Sequence, residues 1–189
     1  MPLSTCGLAT RTTLTLFLVI SDMSSSIASS CNCGMSLVVP AGYTHSQCEV
    51  CQNYWFPTSI EFSEDAIVPL GRTAPFSCPR CSIDLEVGKI GQTEVCFCSN
   101  CRGFVIDSES LGGVINARRA SYSGPEDQPS LVDANELDVH GTCPACFAKM
   151  EAHHYCGPGN IVLDTCMGCH LAWLDHGELA KIIRAPGRR

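Results

Sequence analysis

Five cysteine pairs in this chain share one spacing, C-x-x-C: Cys48/Cys51, Cys78/Cys81, Cys98/Cys101, Cys143/Cys146 and Cys166/Cys169. Cys31-Asn32-Cys33 makes a tighter sixth pair. Two thiolates separated by two residues turn toward a single ion, and two such knuckles complete a tetrahedron of sulfur ligands. A disulfide framework has no reason to repeat so short a spacing, whereas a metal framework requires it. Grouped along the chain, the knuckles form three quartets: Cys31, Cys33, Cys48, Cys51; Cys78, Cys81, Cys98, Cys101; and Cys143, Cys146, Cys166, Cys169. Four sulfurs close the shell and leave no position for a polarised water. The expected role is therefore structural, with two to three zinc ions and no catalytic residue. Each site contributes about 10–16 kcal/mol of folding free energy near neutral pH, more than the small core of a unit of about 40 residues supplies.

The elements that hold these knuckles repeat with them. Four residues after each first knuckle stands an apolar side chain: Leu37, Leu85 and Met150. Four and five residues after each second knuckle stand apolar pairs: Trp55-Phe56, Val105-Ile106 and Trp173-Leu174. The stretches between knuckles run 14, 16 and 19 residues and carry turn formers, Pro40 to Gly42, Gly88 to Gly91 and Gly157 to Asn160. That length accommodates two strands of about five residues and a turn. The expected unit is knuckle, strand, turn, strand, knuckle and a third strand. In copies two and three, Asp107 and Asp175 follow as helix N-caps, Asp175 with Glu178 at the capping-box offset. Leu111, Val114, Ile115 and Leu179, Ile182, Ile183 give each helix one apolar face. Gly112-Gly113 costs the first helix about 2 kcal/mol relative to alanines, which predicts a short or frayed element. Copy one has Pro57 in place of the capping Asp and reads as irregular up to Leu70.

Copy three resembles a known family. Cys143-Pro-Ala-Cys146, Leu163-Asp-Thr-Cys166-Met-Gly-Cys169 and Trp173-Leu-Asp175-His-Gly177-Glu178-Leu179 are similar to the transcription factor IIB-type zinc-finger, or zinc ribbon, family. Its usual pattern is C-P-x-C, V-D-x-C-x-x-C-G-G-x-W-L-D-x-G-E-L. The departure is His170-Leu171 where the family has Gly-Gly. Copy two matches less closely, through Cys78-Pro-Arg-Cys81 and Cys101-Arg-Gly103-Phe-Val-Ile-Asp107, and copy one is degenerate. The resemblance implies a four-cysteine zinc site in each matching ribbon and says little about activity, because fold likeness does not fix function.

The expected fold is therefore a small, metal-stabilised β protein of rubredoxin-like zinc ribbons with short C-terminal helices, in three tandem units. The divisions are a tail or weakly signal-like segment at 1–30, ribbons at 31–70, 78–119 and 143–186, and an acidic linker at 120–142. That linker holds five acidic and no basic residues, with a short helix within Leu131 to Val139. Gly71 to Pro75 reads as a hinge between the first two ribbons. At the N-terminus Arg11 precedes an apolar run, Thr12 to Ile20, too short to span a bilayer. It reads as a tail, or as an extension ahead of a start at Met23, more readily than as an export signal. A cytoplasmic location is expected.

Charge narrows the partners. The formal net charge is −7, and each filled four-thiolate site adds about −2. Nucleic-acid binders present a basic footprint, and here basic residues gather only as Arg118-Arg119 and as Lys181, Arg184, Arg188 and Arg189. The expected role is a non-enzymatic adaptor that binds another protein, with no small-molecule substrate. The rivals are a nucleic-acid-associated, transcription-type factor, and a metal-handling or thiol-redox protein using Cys6, Cys96, Cys156 and the histidines His153, His154, His170 and His176. Trp55 and Trp173 are expected in the core.

Overall fold

A computed structural model describes residues 26–40, 43–58, 64–129, 131–132 and 134–187. The N-terminal readings on residues 1–25 lie outside these, as do Cys6 and the start at Met23.

All six knuckles are closed by the same backbone device. The residue after the second cysteine has positive φ in each: Gly34 (89°), Gln52 (59°), Ser82 (59°), Arg102 (59°), Phe147 (61°) and His170 (55°). In four of them the first cysteine's N–H donates to the carbonyl five residues on, as from Cys78 to Ile83 at 2.7 Å and from Cys143 to Ala148 at 2.8 Å. The N–H of the positive-φ residue returns to the first cysteine's carbonyl, Ser82 to Cys78 and Phe147 to Cys143 at 2.9 Å. His170 thus adopts the conformation that glycine supplies in the family pattern, and the turn is kept at the cost of left-handed strain.

Ribbon 2 runs β5 (Val68–Ser77), knuckle, β6 (Asp84–Ile90), β7 (Thr93–Phe97), knuckle and β8 (Phe104–Asp107). Ribbon 3 runs knuckle, β9 (Glu151–His154), β10 (Val162–Cys166), knuckle and β11 (Leu171–Leu174). The two ribbons are one sheet of seven strands, ordered β5-β6-β7-β8-β11-β10-β9. The junction is antiparallel, with Trp173 opposite Val105 and Leu174 opposite Phe104. Val105 and Trp173 are equivalent positions of the two copies. Equivalent strands therefore pair about a local twofold axis that passes through this residue pair.

Alternation along the junction strands sorts the core into two layers. Phe104, Ile106, Ala172 and Leu174 face Leu111, Val114, Ile115, Leu179, Ile182 and Ile183 of the helices. Val105 and Trp173 face the other way, among Cys78, Cys98, Cys101, Cys143, Cys166, Leu85 and Met150. Helices cover one face of the sheet and metal knuckles the other. Trp173 is 1% exposed, and an added Cβ at Gly103 would fall inside van der Waals contact of its ring, so glycine is required there. Trp55 is only half-buried, because copy one places its apolar pair at the edge of the assembly.

Helix α1 (Ser108–Ser121) spans 14 residues, which corrects the expectation of a short or frayed element. Gly112 and Gly113 are exposed, while Leu111, Val114 and Ile115 are buried. Packing of the apolar face outweighs the propensity penalty. Asp107 caps this helix as expected, accepting from Ser110 N–H at 3.0 Å. Helix α2 (Glu178–Arg184) departs from expectation. Its N-cap is Gly177, which has no side chain to accept a helix amide, and the Asp175 carboxylate turns instead to Trp173 Nε1–H at 2.8 Å and to Arg80. Half of the capping box survives, since Asp175 N–H donates to Glu178 Oε2 at 2.8 Å. The helix amides are taken by Asp65, 1% exposed, which accepts from Gly177 and Ala180 N–H. At the other end of α2, Arg119 of α1 donates to the carbonyls of Ile183 and Ala185 at 3.4 and 3.0 Å.

Ribbon 1 carries two hairpin-like pairs, β1 (Ile27–Ser30) with β2 (Ser36–Val39) and β3 (Ser46–Gln47) with β4 (Tyr54–Trp55). Residues 27–30, read with the tail, are thus part of the ribbon. Ribbon 1 rests on its neighbours. Tyr54 N–H donates to Asn100 Oδ1 at 3.3 Å, Arg102 donates to Thr58 O at 3.0 Å, and the Arg102 guanidinium lies 4.0 Å from the Phe56 ring centre. The hinge expected at Gly71 to Pro75 is instead the middle of β5. A register shift between Pro69 and Arg72 and positive φ at Gly71 (67°) mark a bulge, and both prolines lie on the edge strand, where a missing N–H is tolerated. Among the described residues no helix is long and apolar enough to cross a membrane.

Candidate metal centres

Strand ends deliver the knuckles to one another. Each first knuckle leaves toward a strand whose return brings the second knuckle back, and Leu37, Leu85 and Met150, all buried, anchor the outgoing chain beneath it. The three expected quartets are assembled: Cys31, Cys33, Cys48, Cys51; Cys78, Cys81, Cys98, Cys101; and Cys143, Cys146, Cys166, Cys169. Within each, the four sulfurs lie within 4.8 Å of one another. Closest approaches are 3.3 Å (Cys31–Cys51), 3.5 Å (Cys33–Cys48), 3.6 Å (Cys78–Cys101) and 3.6 Å (Cys146–Cys166). A disulfide requires about 2.05 Å, so these are not bridges. A tetrahedron with zinc–sulfur bonds of about 2.3 Å has an edge of about 3.8 Å, and the quartets fit it. The three centres are structural zinc sites with closed sulfur shells.

The electrostatics point the same way. Cys98 is pulled down to about 2 by hydrogen bonds from the Cys101 and Cys78 thiols, while Cys101 is pushed far above the thiol range by its own hydrogen bonds with Cys78 and Cys98. Cys146 falls to about 7, first through the Ala148 N–H, and Cys169 rises to about 12, first through Cys146. Crowded sulfurs resist full ionisation on their own, and a divalent cation removes that penalty. Backbone and amide donors soften the residual charge. The N–H groups of Arg80 and Cys81 lie 3.4 and 3.3 Å from Cys78 Sγ, and Asn100 Nδ2 lies 3.4 Å from Cys81 Sγ. The central site is the most enclosed, with Cys78, Cys98 and Cys101 buried, whereas Cys33 and Cys146 are exposed in the outer two.

Residues 142–185 match the transcription factor zinc-finger family. The matched span covers ribbon 3 with its helix, and the other two four-cysteine clusters lie outside it. No curated protein and no solved structure matches the chain.

Among the described residues, the remaining cysteines and the histidines stay outside the three metal centres. Cys96 is half-buried on β7 and Cys156 is exposed. His154 is tied to Asn160 Oδ1 at 2.7 Å, and His176 is buried against Phe56, ring centres 4.6 Å apart. Burial pulls His176 down to about 4 and pushes Asp65, 3.6 Å from its Nδ1, up to about 6. Arg80, Asp164 and Asp65, which tie the ribbons together, were not singled out by spacing. Arg80, inside the first knuckle of ribbon 2, bridges to Asp164 Oδ2 and Asp175 Oδ2 of ribbon 3, each at 2.8 Å. Asp65 joins the chain after ribbon 1 to α2. The available signal was a charged residue inside a knuckle, Cys78-Pro-Arg-Cys81, where nothing about sulfur chemistry asks for one.

Proposed function

We propose that the chain is a non-enzymatic adaptor whose zinc-stapled ribbons form one rigid platform for a protein partner. The observation that supports this reading is the fate of its arginines. Arg80 is clamped between two carboxylates, Arg118 donates to Ala66 O, Arg119 caps α2, and Arg184 pairs with Glu64 at 2.6 Å and Asp127 at 3.5 Å. Of the cations that a sequence scan would offer to phosphate, Arg118, Arg119 and Arg184 are engaged in internal contacts. On a chain of net charge −7 this leaves a weak footprint for counterion release. A structural role for closed four-sulfur shells favours the absence of enzymatic activity.

The family matched by residues 142–185 favours a second reading, a nucleic-acid-associated transcription-type factor. Fluorescence anisotropy with random-sequence DNA and RNA, at low and high salt, separates the two. The adaptor reading expects no tight binding at either salt. Tight association that weakens steeply as salt rises refutes it.

A further inference from the structure

A cavity of about 480 Å³ opens between ribbon 1, ribbon 3 and the 3-10 segment Ala134–Asp138 of the linker. Its volume falls within the range of about 300–1,000 Å³ usual for binding sites, and it is separate from the three sulfur quartets. Asp164, Asp175, Glu178 and Glu136 contribute four acidic groups to the wall, against Arg80 and Lys181. Burial lowers both His45 and His176, so neither adds positive charge near neutral pH. Burial also raises Glu178, and leaving that group out of the count the acids still outnumber the bases. Arg80 is not available to an incoming anion, because both of its carboxylate partners hold it at 2.8 Å.

Asp164 is the second observation. Its side chain is 6% exposed, Oδ2 is bonded to Arg80, and Oδ1 has no hydrogen-bond partner among the described residues. A buried carboxylate oxygen left unpaired is costly, and a cation brought to its neighbourhood offsets that cost. The mouth of the cavity is apolar and aromatic, with Leu131, Val139 and Tyr43 exposed at 94%, 57% and 70%. An alkyl stem with a charged tip suits such an entrance, the stem on the rim and the tip among the acids.

We propose that this cavity receives a lysine or arginine side chain presented by the partner protein. The proposal rests on the adaptor reading and names the chemistry of its partner, a basic peptide segment. The chain's negative charge steers such a segment toward it.

The test uses the full zinc-loaded chain and four glycine–serine heptapeptides with a central Arg, Lys, Glu or Leu. The indole N–H resonance of Trp173, which lines the cavity, is followed by NMR, with Trp55 as internal control. The Arg and Lys peptides shift the Trp173 signal and leave Trp55 unmoved. The exposed-rim change Glu136→Lys weakens their binding about two- to fivefold and Lys181→Glu strengthens it by a similar factor, the range of partly exposed charge pairs. Asp164→Asn weakens it further where the fold is retained, and the two rim variants decide the matter where it is not. A Glu or Leu peptide that binds as well as Arg, or a Lys181→Glu change that weakens Arg binding, overturns the proposal. Silence from all four peptides also removes this site. The adaptor reading then stands or falls separately on the nucleic-acid titration.

Discussion

Replacing Arg80 by methionine tests whether ribbons 2 and 3 are clamped electrostatically as well as paired by strands. The substitution keeps a flexible apolar stem and removes the guanidinium. Asp164, 6% exposed, then loses its only ion pair among the described residues, and uncoupling a buried pair costs about 3–5 kcal/mol. Two facts reduce the figure. The Arg80 side chain is itself 21% exposed, so water reaches the gap. Asp175, 42% exposed and still bonded to Trp173, recovers solvent, and its share is at most about 1 kcal/mol. The expected loss is about 2–4 kcal/mol, carried mainly by Asp164. Urea unfolding at fixed free zinc measures it, because zinc bound to the native state otherwise shifts the midpoint by mass action. A double-mutant cycle with Asp164→Asn yields a coupling near about 2 kcal/mol and one with Asp175→Asn under about 1 kcal/mol. A total loss below about 1 kcal/mol, or a stronger coupling to Asp175 than to Asp164, refutes the reasoning.

Metal analysis of the purified chain gives three zinc per molecule. Chelation abolishes the β-sheet circular dichroism signal, since each site supplies about 10–16 kcal/mol. Phe147 is 74% exposed at φ 61°. Phe147→Gly therefore raises stability by about 0.5–1 kcal/mol in urea melts by relieving left-handed strain, and Phe147→Val lowers it. Asp65→Ala strands two helix amides and costs about 2 kcal/mol, while Asp65→Asn keeps an acceptor and costs less, both read from thermal melts at neutral pH. His176 is depressed to about 4 from its ordinary value. Its folded state binds fewer protons than its unfolded state, so its contribution is present above about pH 6.5 and is lost as pH falls toward 4. Ring resonances that titrate near 6.5 in NMR would contradict this.

The metal centres were legible because a knuckle is a local object. Two sulfurs, a positive-φ residue and an apolar anchor all fall within about eight residues, and each leaves its mark in composition. Leu37, Leu85 and Met150 were read from spacing alone and are buried. The junction of ribbons 2 and 3 was not read, because a strand's hydrogen-bonding partner is not encoded in its own period. A clue was present in Phe104-Val-Ile and Leu171-Ala-Trp-Leu, near-continuous apolar runs that suit strands covered on both faces. Asp175 was assigned to its nearest helix end, a local rule, and lost that role to Arg80, which lies 95 residues away. Asp65 took over the cap from a distance of 112 residues. Gly112-Gly113 misled for a related reason. Propensity describes an isolated helix, and α1 is held by the sheet beneath it.

The symmetric seam between β8 and β11 makes this chain a covalently tethered pair. Each half supplies the other with the neighbour that a lone ribbon would lack. Excision of residues 142–187 would lay bare one side of β11, a row of unsatisfied amides and carbonyls with Trp173 alongside. Such a fragment is inclined to recreate the missing half from a second copy of itself, exchanging an intramolecular companion for an intermolecular one. Autonomy of the third ribbon, despite its intact sulfur quartet, is therefore purchased only by self-association.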